Sequence, residues 1–244
     1  MLITSMVNDR IKSYIKLKDR KYRKRTKTFI VEGLHSVLEA YKKNMIIELI
    51  IEKDEVQPFD VPCIYTTQEI LNQISSLETP GKIMALCRML SDEKVLGDRV
   101  LLLDNIQDPG NLGTIIRSAA AFNADTIVLS PDTVDMYSPK VIRSTQGMLF
   151  HLNIFVRDLS GVIDDLKHNE IPVYGTRVEY GEDVRTLKEK DKKKYALVLG
   201  NEGNGVRREI LDKCDKFLCI EMNEDVESLN VAVAASIILY ELDR

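Results

Sequence analysis

The 244-residue chain is poor in cysteine and histidine, with four cysteines and three histidines. None of the cysteines shows C-x-x-C spacing; they are Cys63, Cys87, Cys214 and Cys219. A disulfide framework and a zinc ribbon are therefore not expected, and no metal site is predicted. The composition fits a reducing, cytoplasmic environment.

Long apolar runs are also missing. The longest uncharged apolar stretch, Val231 to Tyr240, has ten residues, whereas a membrane span needs about 20. The first residues lack a basic segment followed by an apolar one, so we expect no secretory signal. Apolar residues make up 44% of the chain, an ordinary share that excludes wholesale disorder.

Positive charge is concentrated in one segment of an acidic chain. The net charge is −4, yet residues 9–27 carry ten Lys/Arg and two Asp/Glu. This segment predicts a contact with a polyanion, although a solvated helix face would explain it equally well. Tyr14 and Tyr22 lie among the charges, and aromatic rings can stack on unpaired bases, which favours RNA. A membrane surface is less favoured, because the segment lacks a bulky apolar face to bury. The RNA-binding candidates are Lys21, Arg23, Lys24 and Arg25.

Hydrophobic patterns divide the chain into two predicted domains, 1–95 and 96–244, with the boundary in the polar stretch 91–99. The first domain is expected to be a small α/β unit with a helix over 8–22. From residue 100 onward, predicted strands with continuous apolar character alternate with helices, which is typical of a parallel sheet covered on both faces. Ligands of such sheets bind beyond the carboxyl ends of the strands. We therefore expect the chemistry in the loops after Leu103, Leu199 and Ile220.

The first of these loops, residues 105–113, leads into a predicted helix. Asn111 or Thr114 is expected to cap that helix. Arg117 is the lone charge in an otherwise small and apolar stretch, which predicts that it contacts an anion. The alternative is an arginine that extends to a neighbouring aspartate.

The second loop holds three glycines, Gly200, Gly203 and Gly205, between a strand and a helix. Their G-x-x-G-x-G spacing matches neither the dinucleotide fingerprint nor a phosphate-binding Walker A loop, which disfavours a dehydrogenase or an NTPase. Such a turn allows a ligand to approach the backbone closely, although a purely structural turn is commoner. Glu202, at its tip, is expected to be the only charge in the pocket.

The third loop opens a helix that is apolar almost all round, so it should be buried in a core or a subunit interface. Ser228 is the expected N-cap of this helix. Asn230, one residue further on, would then be unnecessary for capping, and we interpret it as a placed polar group.

Together the three loops resemble the motifs of the SpoU (TrmH-like) branch of the SPOUT RNA methyltransferases. The matches are N-x-G-x-x-x-R at Asn111–Arg117, L-G-x-E-G-x-G at Leu199–Gly205 and S-L-N-V-A-V-A at Ser228–Ala234. The resemblance covers about residues 98–244. Residues 18–40 are similar to the substrate-binding domain of many members, which is related in shape to ribosomal L30e/L7Ae-like proteins that bind kinked RNA.

The resemblance implies methyl transfer from S-adenosylmethionine to a ribose 2′-hydroxyl, in ribosomal rather than transfer RNA because of the added N-terminal domain. It also implies an α/β fold whose parallel-sheet SPOUT domain carries a deep trefoil knot, and a homodimer formed through that domain. The resemblance assigns catalysis to Arg117, Asn111, Glu202, Ser228 and Asn230. It assigns cofactor binding to Gly200, Gly203, Ile220, Met222 and Leu229.

The sequence departs from the family pattern at one position, because Glu221 precedes Met222 where many relatives have proline. A guanidinium rarely gives up its proton, so we expect Arg117 to orient a phosphate and stabilise the developing alkoxide rather than act as a base.

Three alternative functions stay open. They are a non-catalytic RNA-binding or ribosome-assembly protein, a transfer RNA 2′-O-methyltransferase and a relative that methylates bases.

Overall fold

A computed structural model describes residues 1–91, 95–177 and 181–244. In chain order, the first segment forms β1 (Leu2–Ile3), α1 (Asp9–Lys16), α2 (Arg20–Thr26), β2 (Thr28–Glu32), α3 (Leu34–Lys42), β3 (Ile46–Glu52), β4 (Cys63–Thr66), α4 (Gln68–Ile74) and β5 (Ile83–Arg88). The single helix predicted over 8–22 is wrong. The side chain of Asp19 caps α2 by accepting from the backbone N–H of Tyr22, so a second helix begins there.

The remaining segments continue the alternation of strands and helices. They form β6 (Arg99–Leu103), α5 (Pro109–Ala121), β7 (Thr126–Leu129), α6 (Pro139–Thr145), β8 (Asn153–Val156), α7 (Leu159–His168), β9 (Val173–Thr176), β10 (Glu182–Asp183), α8 (Glu189–Lys193), β11 (Tyr195–Leu199), α9 (Arg208–Leu211), β12 (Lys216–Cys219) and α10 (Val231–Asp243). No helix within the described ranges has the length and apolarity that crossing a bilayer requires.

The chain divides into two compact units. The N-terminal unit combines Met1–Ser91 with Asp135–His151, and the C-terminal unit combines Asp92–Val134 with Leu152–Arg244. In the N-terminal unit, the aromatic ring of Phe29 packs against those of Tyr137 and Phe150. The sequence pattern predicts no element over 135–151 and does not place these residues with the N-terminal unit. The polar stretch 91–99 lies partly outside the described residues.

The N-terminal unit is built on a mixed five-stranded sheet with the order β1-β4-β3-β5-β2. In this sheet β3 pairs parallel with β4 and antiparallel with β5. Helices α1 and α4 pack on each other and contribute Ile11 and Leu71 to a core that includes Ile50 of β3. This core holds α1 in place, and with it the beginning of the basic segment.

The C-terminal unit is built on a seven-stranded parallel sheet, as the continuous apolar strands predicted. Its order is β10-β12-β9-β11-β6-β7-β8, and every described pairing in it is parallel. The strands β6 and β11 are neighbours at its centre, and their residues from 100 to 103 and from 195 to 199 are almost completely buried. Their carboxyl ends therefore meet, which brings the first two loops together.

Candidate active site

The loop after β6 leaves the Asn111 side chain available for the site. Asp108, not Asn111 or Thr114, caps α5: its carboxylate accepts from the backbone N–H of Asn111 at 2.9 Å, and Pro109 occupies the first turn. The expected cap was therefore wrong. The helix needs no capping by the Asn111 side chain, and its amide is free to bond with other loops.

The loop after β11 is a tight turn organised by Asn201. The side-chain oxygen of Asn201 accepts from the backbone N–H groups of Gly203 and Asn204 at 2.9 and 3.0 Å. A Cβ on Gly200 would lie 2.2 Å from the backbone nitrogen of Val206, so this position requires glycine. Gly205 has a φ of +68°, a left-handed conformation that also favours glycine.

Side-chain hydrogen bonds join the first two loops. The amide of Asn201 donates to the backbone oxygen of Asn105 at 2.9 Å. The amide of Asn111 donates to Oε1 of Glu202 at 2.8 Å. The backbone N–H groups of Gln107 and Asp108 approach the same carboxylate at 3.5 and 3.4 Å. Glu202 is therefore held over the loop that precedes α5.

The third loop meets the other two through Asn230. Its side-chain oxygen accepts from the backbone N–H groups of Ala232 and Val233 at the start of α10, and its amide donates to Oδ1 of Asn111 at 3.0 Å. The expectation that Ser228 caps this helix was wrong, because Asn230 does so. Asn230 is thus both the cap and one end of a chain of hydrogen bonds, Asn230–Asn111–Glu202, which we call the Asn–Asn–Glu chain.

The carboxyl group of Glu202 is held ionised by this arrangement. Desolvation by burial raises the pKa of Glu202, but the hydrogen bonds from the Asn111 side chain and from backbone N–H groups outweigh it. The net result is a pKa below the ordinary value of 4.5. At neutral pH Glu202 is therefore a fixed acceptor, which keeps the Asn111 amide in one orientation.

The second and third loops enclose a cavity of about 530 Å³. Apolar side chains, among them Leu199, Val206 and Ile238, form part of its wall. Eight predicted site residues line it: Gly200, Glu202, Gly203, Ile220, Met222, Ser228, Leu229 and Asn230. A cavity of this size, with apolar walls and a few polar groups, is typical of a small-molecule site.

Arg117 is not among the residues that line the cavity. It is exposed on α5, six residues after Asn111, or about 9 Å along the helix axis at 1.5 Å per residue. It forms no hydrogen bond or ion pair with any described residue. In the described part of the chain, the alternative in which Arg117 extends to a neighbouring aspartate is therefore not observed.

Of the four RNA-binding candidates, Lys21, Lys24 and Arg25 are exposed on α2, whereas Arg23 is buried. The Arg23 guanidinium donates to the backbone oxygens of Leu17 and Lys18 and, at 2.7 Å, to the carboxylate of Asp135. Including Arg23 among the RNA-binding residues was therefore a mistake, because its side chain is committed to the interior of the N-terminal unit.

One charged residue of the cavity was missed. Arg177, directly after β9, lines the cavity together with Glu202, so the expectation that Glu202 is the only charge was wrong. A signal was available in the sequence, because the rule that ligands bind beyond strand carboxyl ends applies to Val173–Thr176 as well. The loop after this strand is not among the three loops expected above to carry the chemistry.

The chain is similar to known proteins over nearly its whole length. Residues 98–240 match the model of the SpoU rRNA Methylase family, and residues 8–85 match that of the MRM3-like substrate binding domain. The chain is 39% identical, over 98% of both chains, to the 23S rRNA (guanosine(2553)-2′-O)-methyltransferase RlmP of Bacillus subtilis.

Two solved structures with a bound cofactor have the same fold. The SpoU methyltransferase AviRb from Streptomyces viridochromogenes, in complex with S-adenosylmethionine, is 27% identical with a TM-score of 0.85 over 97% of both chains. The S-adenosylmethionine-bound rRNA methyltransferase from Sinorhizobium meliloti is 25% identical, with a TM-score of 0.84 over 99% of this chain and 97% of that one. With its family match over more than half of its length and a full-length relative, the chain belongs to the SpoU rRNA Methylase family.

Proposed function

We propose that this S-adenosylmethionine-dependent RNA 2′-O-ribose methyltransferase modifies the guanosine of 23S rRNA that corresponds to position 2553. The similarity to RlmP extends through both units, including the segment that matches a substrate-binding domain. A transfer RNA substrate is less favoured, because the A. aeolicus TrmH/SpoU tRNA modifying enzyme, at 27% identity and a TM-score of 0.54, covers only 62% of this chain.

The observation that carries the proposal is the Asn–Asn–Glu chain beside a cavity that fits S-adenosylmethionine. The cavity volume of 530 Å³ suits a ligand of this size. Gly203 leaves open space around its Cα, because a Cβ there would have only the side-chain oxygen of Asn201 within 4 Å. Gly200, Gly203, Ile220, Met222 and Leu229 would hold the cofactor, which supplies a methyl group on a sulfonium.

The chain's own residues would align the acceptor and manage its charge. Fixing the orientation of the reacting groups can contribute on the order of 7–11 kcal/mol to lowering a barrier. Asn111, held from both sides by Glu202 and Asn230, would position the ribose hydroxyl together with Ser228, which lines the cavity. Arg117, whose guanidinium is exposed, would bind a neighbouring phosphate and stabilise the negative charge that develops on the oxygen.

The second part of the proposal concerns assembly. Val233 and Tyr240 are exposed at 47% and 45% on α10, and Ile237 lies half-buried between them on the same stripe. We propose that this stripe contributes to a homodimer formed through the C-terminal unit, within the knotted fold of the family. Such a dimer would bring exposed residues of α5, Arg117 among them, close to a second subunit.

The third part concerns the RNA. The N-terminal unit would bind rRNA through the exposed cations Lys21, Lys24 and Arg25, where the guanidinium of Arg25 lies 4.8 Å from the centroid of the Tyr22 ring. We propose that residues 1–95 serve as the RNA-binding domain and residues 96–244 as the methyltransferase. The enzyme would work in the cytoplasm, where ribosomes are assembled, and without a metal ion.

Mapping of ribose methylation across the rRNA of a deletion strain and its parent tests the target. Loss of one methyl group at the guanosine corresponding to 2553 is expected, and restoring the gene should return it. Mass spectrometry of the nucleosides separates ribose from base methylation. If all rRNA and tRNA ribose methyl groups persist in the deletion strain and the protein does not bind S-adenosylmethionine by calorimetry, the non-catalytic alternative replaces this proposal.

A substitution of Arg117 tests its role separately. Arg117→Lys keeps the positive charge but removes the planar pair of donors that binds a phosphate through two parallel bonds. Its turnover should fall by about tenfold or more, while its affinity for S-adenosylmethionine stays that of the parent protein. Near-normal turnover would show that the guanidinium fork is not needed.

A further inference from the structure

Arg177 occupies a defined position in the wall of the cavity. It follows β9, which lies between β11 and β12 in the sheet, and its backbone N–H donates to the backbone oxygen of Leu218 at 3.0 Å. The central carbon of its guanidinium lies 3.7 Å from the centroid of the Phe217 ring. Cation–π attraction of this kind restrains a side chain that would otherwise be mobile on the surface.

The sequence around Arg177 makes room for this stack. Gly175 of β9 is the register partner of Phe217 on β12. A Cβ on Gly175 would lie 2.9 Å from two carbons of the Phe217 ring, so the ring occupies space that only glycine leaves free. Arg177 lies two residues after Gly175, directly after the strand, and its guanidinium reaches the same ring.

Arg177 and Glu202 are the charged residues among the described side chains that line the cavity. They follow neighbouring strands, β9 and β11, and Glu202 is engaged by Asn111. The cavity thus carries an acidic group at the Asn–Asn–Glu chain and a basic group one strand away. S-adenosylmethionine has one anionic group, the carboxylate of its methionyl part, in addition to its positive sulfonium and amine.

We infer that Arg177 binds the carboxylate of S-adenosylmethionine and so helps to select and orient the cofactor. A guanidinium that rests on an aromatic face keeps its N–H edge available, and that edge matches a carboxylate through two parallel hydrogen bonds. This inference rests on the proposed function, because it requires S-adenosylmethionine to occupy the cavity. Arg177 is thereby a cofactor-binding residue that none of the three sequence motifs contains.

Calorimetry on the full chain with two ligands tests the inference. The ligands are S-adenosylmethionine and decarboxylated S-adenosylmethionine, which keeps the adenosine, the sulfonium and the amine. The parent protein should bind the decarboxylated compound about tenfold more weakly, the effect of losing one charged hydrogen-bonding pair. Arg177→Ala should bind both ligands equally, with the affinity that the parent protein has for the decarboxylated compound.

Two further variants sharpen the result. Arg177→Lys, which keeps the charge without the fork, should show an intermediate preference for the carboxylate. Arg208→Ala removes an exposed arginine of the same unit that does not line the cavity, and it should behave as the parent protein does. Thermal melting of each variant checks that all are folded.

The opposing outcomes are distinct. If Arg177→Ala keeps the parent protein's preference for S-adenosylmethionine, Arg177 does not bind the carboxylate and the inference is overturned. It is equally overturned if cofactor affinity is unchanged and only affinity for rRNA falls, because Arg177 is then an RNA contact. If the parent protein binds neither ligand, the proposed function fails, and the inference fails with it.

Discussion

The amide nitrogen of Asn111 lies 2.8 Å from Oε1 of Glu202, although 91 positions separate the two residues in the chain. This hydrogen bond fixes the orientation of the Asn111 amide, because its nitrogen must face the carboxylate. The amide oxygen is then left to accept from Asn230. Three loops are therefore linked through one asparagine, and removing its side chain should disturb all three.

Substitution of Asn111 should change the titration of Glu202. The Asn111 hydrogen bond lowers the pKa of Glu202 against the opposing effect of burial, so Asn111→Ala should move that pKa upward. Since the pKa is lowered in the folded protein, the stabilisation is present above the ordinary value of 4.5 and is lost as the pH falls through the lowered value. Titration of the carboxyl carbons by NMR measures the shift.

Asp183 provides the internal control for this titration. Its pKa is lowered chiefly by the side chain of Arg185, a group independent of Asn111, so it should titrate identically in both proteins. A Glu202 pKa that is the same in the parent protein and in Asn111→Ala would contradict the role assigned to this hydrogen bond.

Two substitutions of Asn230 should separate capping from catalysis. Asn230→Ala removes the N-cap of α10 and should lower the free energy of unfolding by about 1 kcal/mol. Asn230→Asp keeps the oxygen that accepts from Ala232 and Val233 but loses the amide that donates to Asn111. Its stability, measured by urea unfolding, should stay near that of the parent protein while methyl transfer falls.

Ser228→Ala completes this comparison. Ser228 is exposed and has no hydrogen bond within the described ranges, so its removal should leave the free energy of unfolding within about 0.5 kcal/mol of the parent value. Equal methyl transfer by Asn230→Asp and the parent protein would show that catalysis does not need the Asn230 amide and that this side chain serves only as the cap of α10.

Gly200 and Gly203 should differ sharply in their tolerance of alanine. A Cβ at Gly200 would collide with the backbone of Gly205 and Val206, so Gly200→Ala should destabilise the unit by about 1–3 kcal/mol. The nearest atom to a Cβ at Gly203 is the side-chain oxygen of Asn201 at 3.6 Å. Gly203→Ala should therefore fold normally, with a melting temperature near that of the parent protein.

The same pair tests the cofactor site. If S-adenosylmethionine occupies the space beside Gly203, Gly203→Ala should weaken its binding in calorimetry without affecting the fold. Unchanged affinity in this stable variant would remove Gly203 from the cofactor-binding residues.

The basic segment should divide into residues for RNA and a residue for stability. Replacing Lys21, Lys24 and Arg25 by alanine should weaken rRNA binding and flatten its salt dependence, since each phosphate contact contributes a slope of about −0.7 to −0.9. Arg23→Ala should instead lower the free energy of unfolding by about 3–5 kcal/mol, because it leaves the carboxylate of Asp135 without its closest partner. Binding measured across a salt series, together with urea unfolding, distinguishes them.

Equal salt slopes for the triple variant and the parent protein would mean that the exposed cations are merely solvated. Lys12→Ala is a suitable control, because it removes one exposed charge from α1 and leaves α2 intact. It should change the slope by less than the triple variant does.

Features that depend on a local pattern could be predicted from the amino-acid sequence alone. Continuous apolar runs such as Val100–Leu103 predicted buried parallel strands, and the motifs around Asn111, Gly200 and Asn230 indicated the family. These predictions succeeded because burial on both faces of a sheet and the conformation of a turn restrict the residue types at adjacent positions of the chain. The same local evidence could not distinguish Ser228 from Asn230 as a cap, since both residue types cap helices well.

Which side chains are free and which have partners depends on contacts between distant parts of the chain. Arg23 looks like its exposed neighbours in the sequence, yet it pairs with Asp135, 112 residues away. Arg177 enters the cavity only because β9 lies between β11 and β12. Partners so distant in the chain are brought together by the order of the strands and by the path of the loops between them. Composition and periodicity do not predict such contacts, because they indicate how deeply a residue is buried but not which residues surround it.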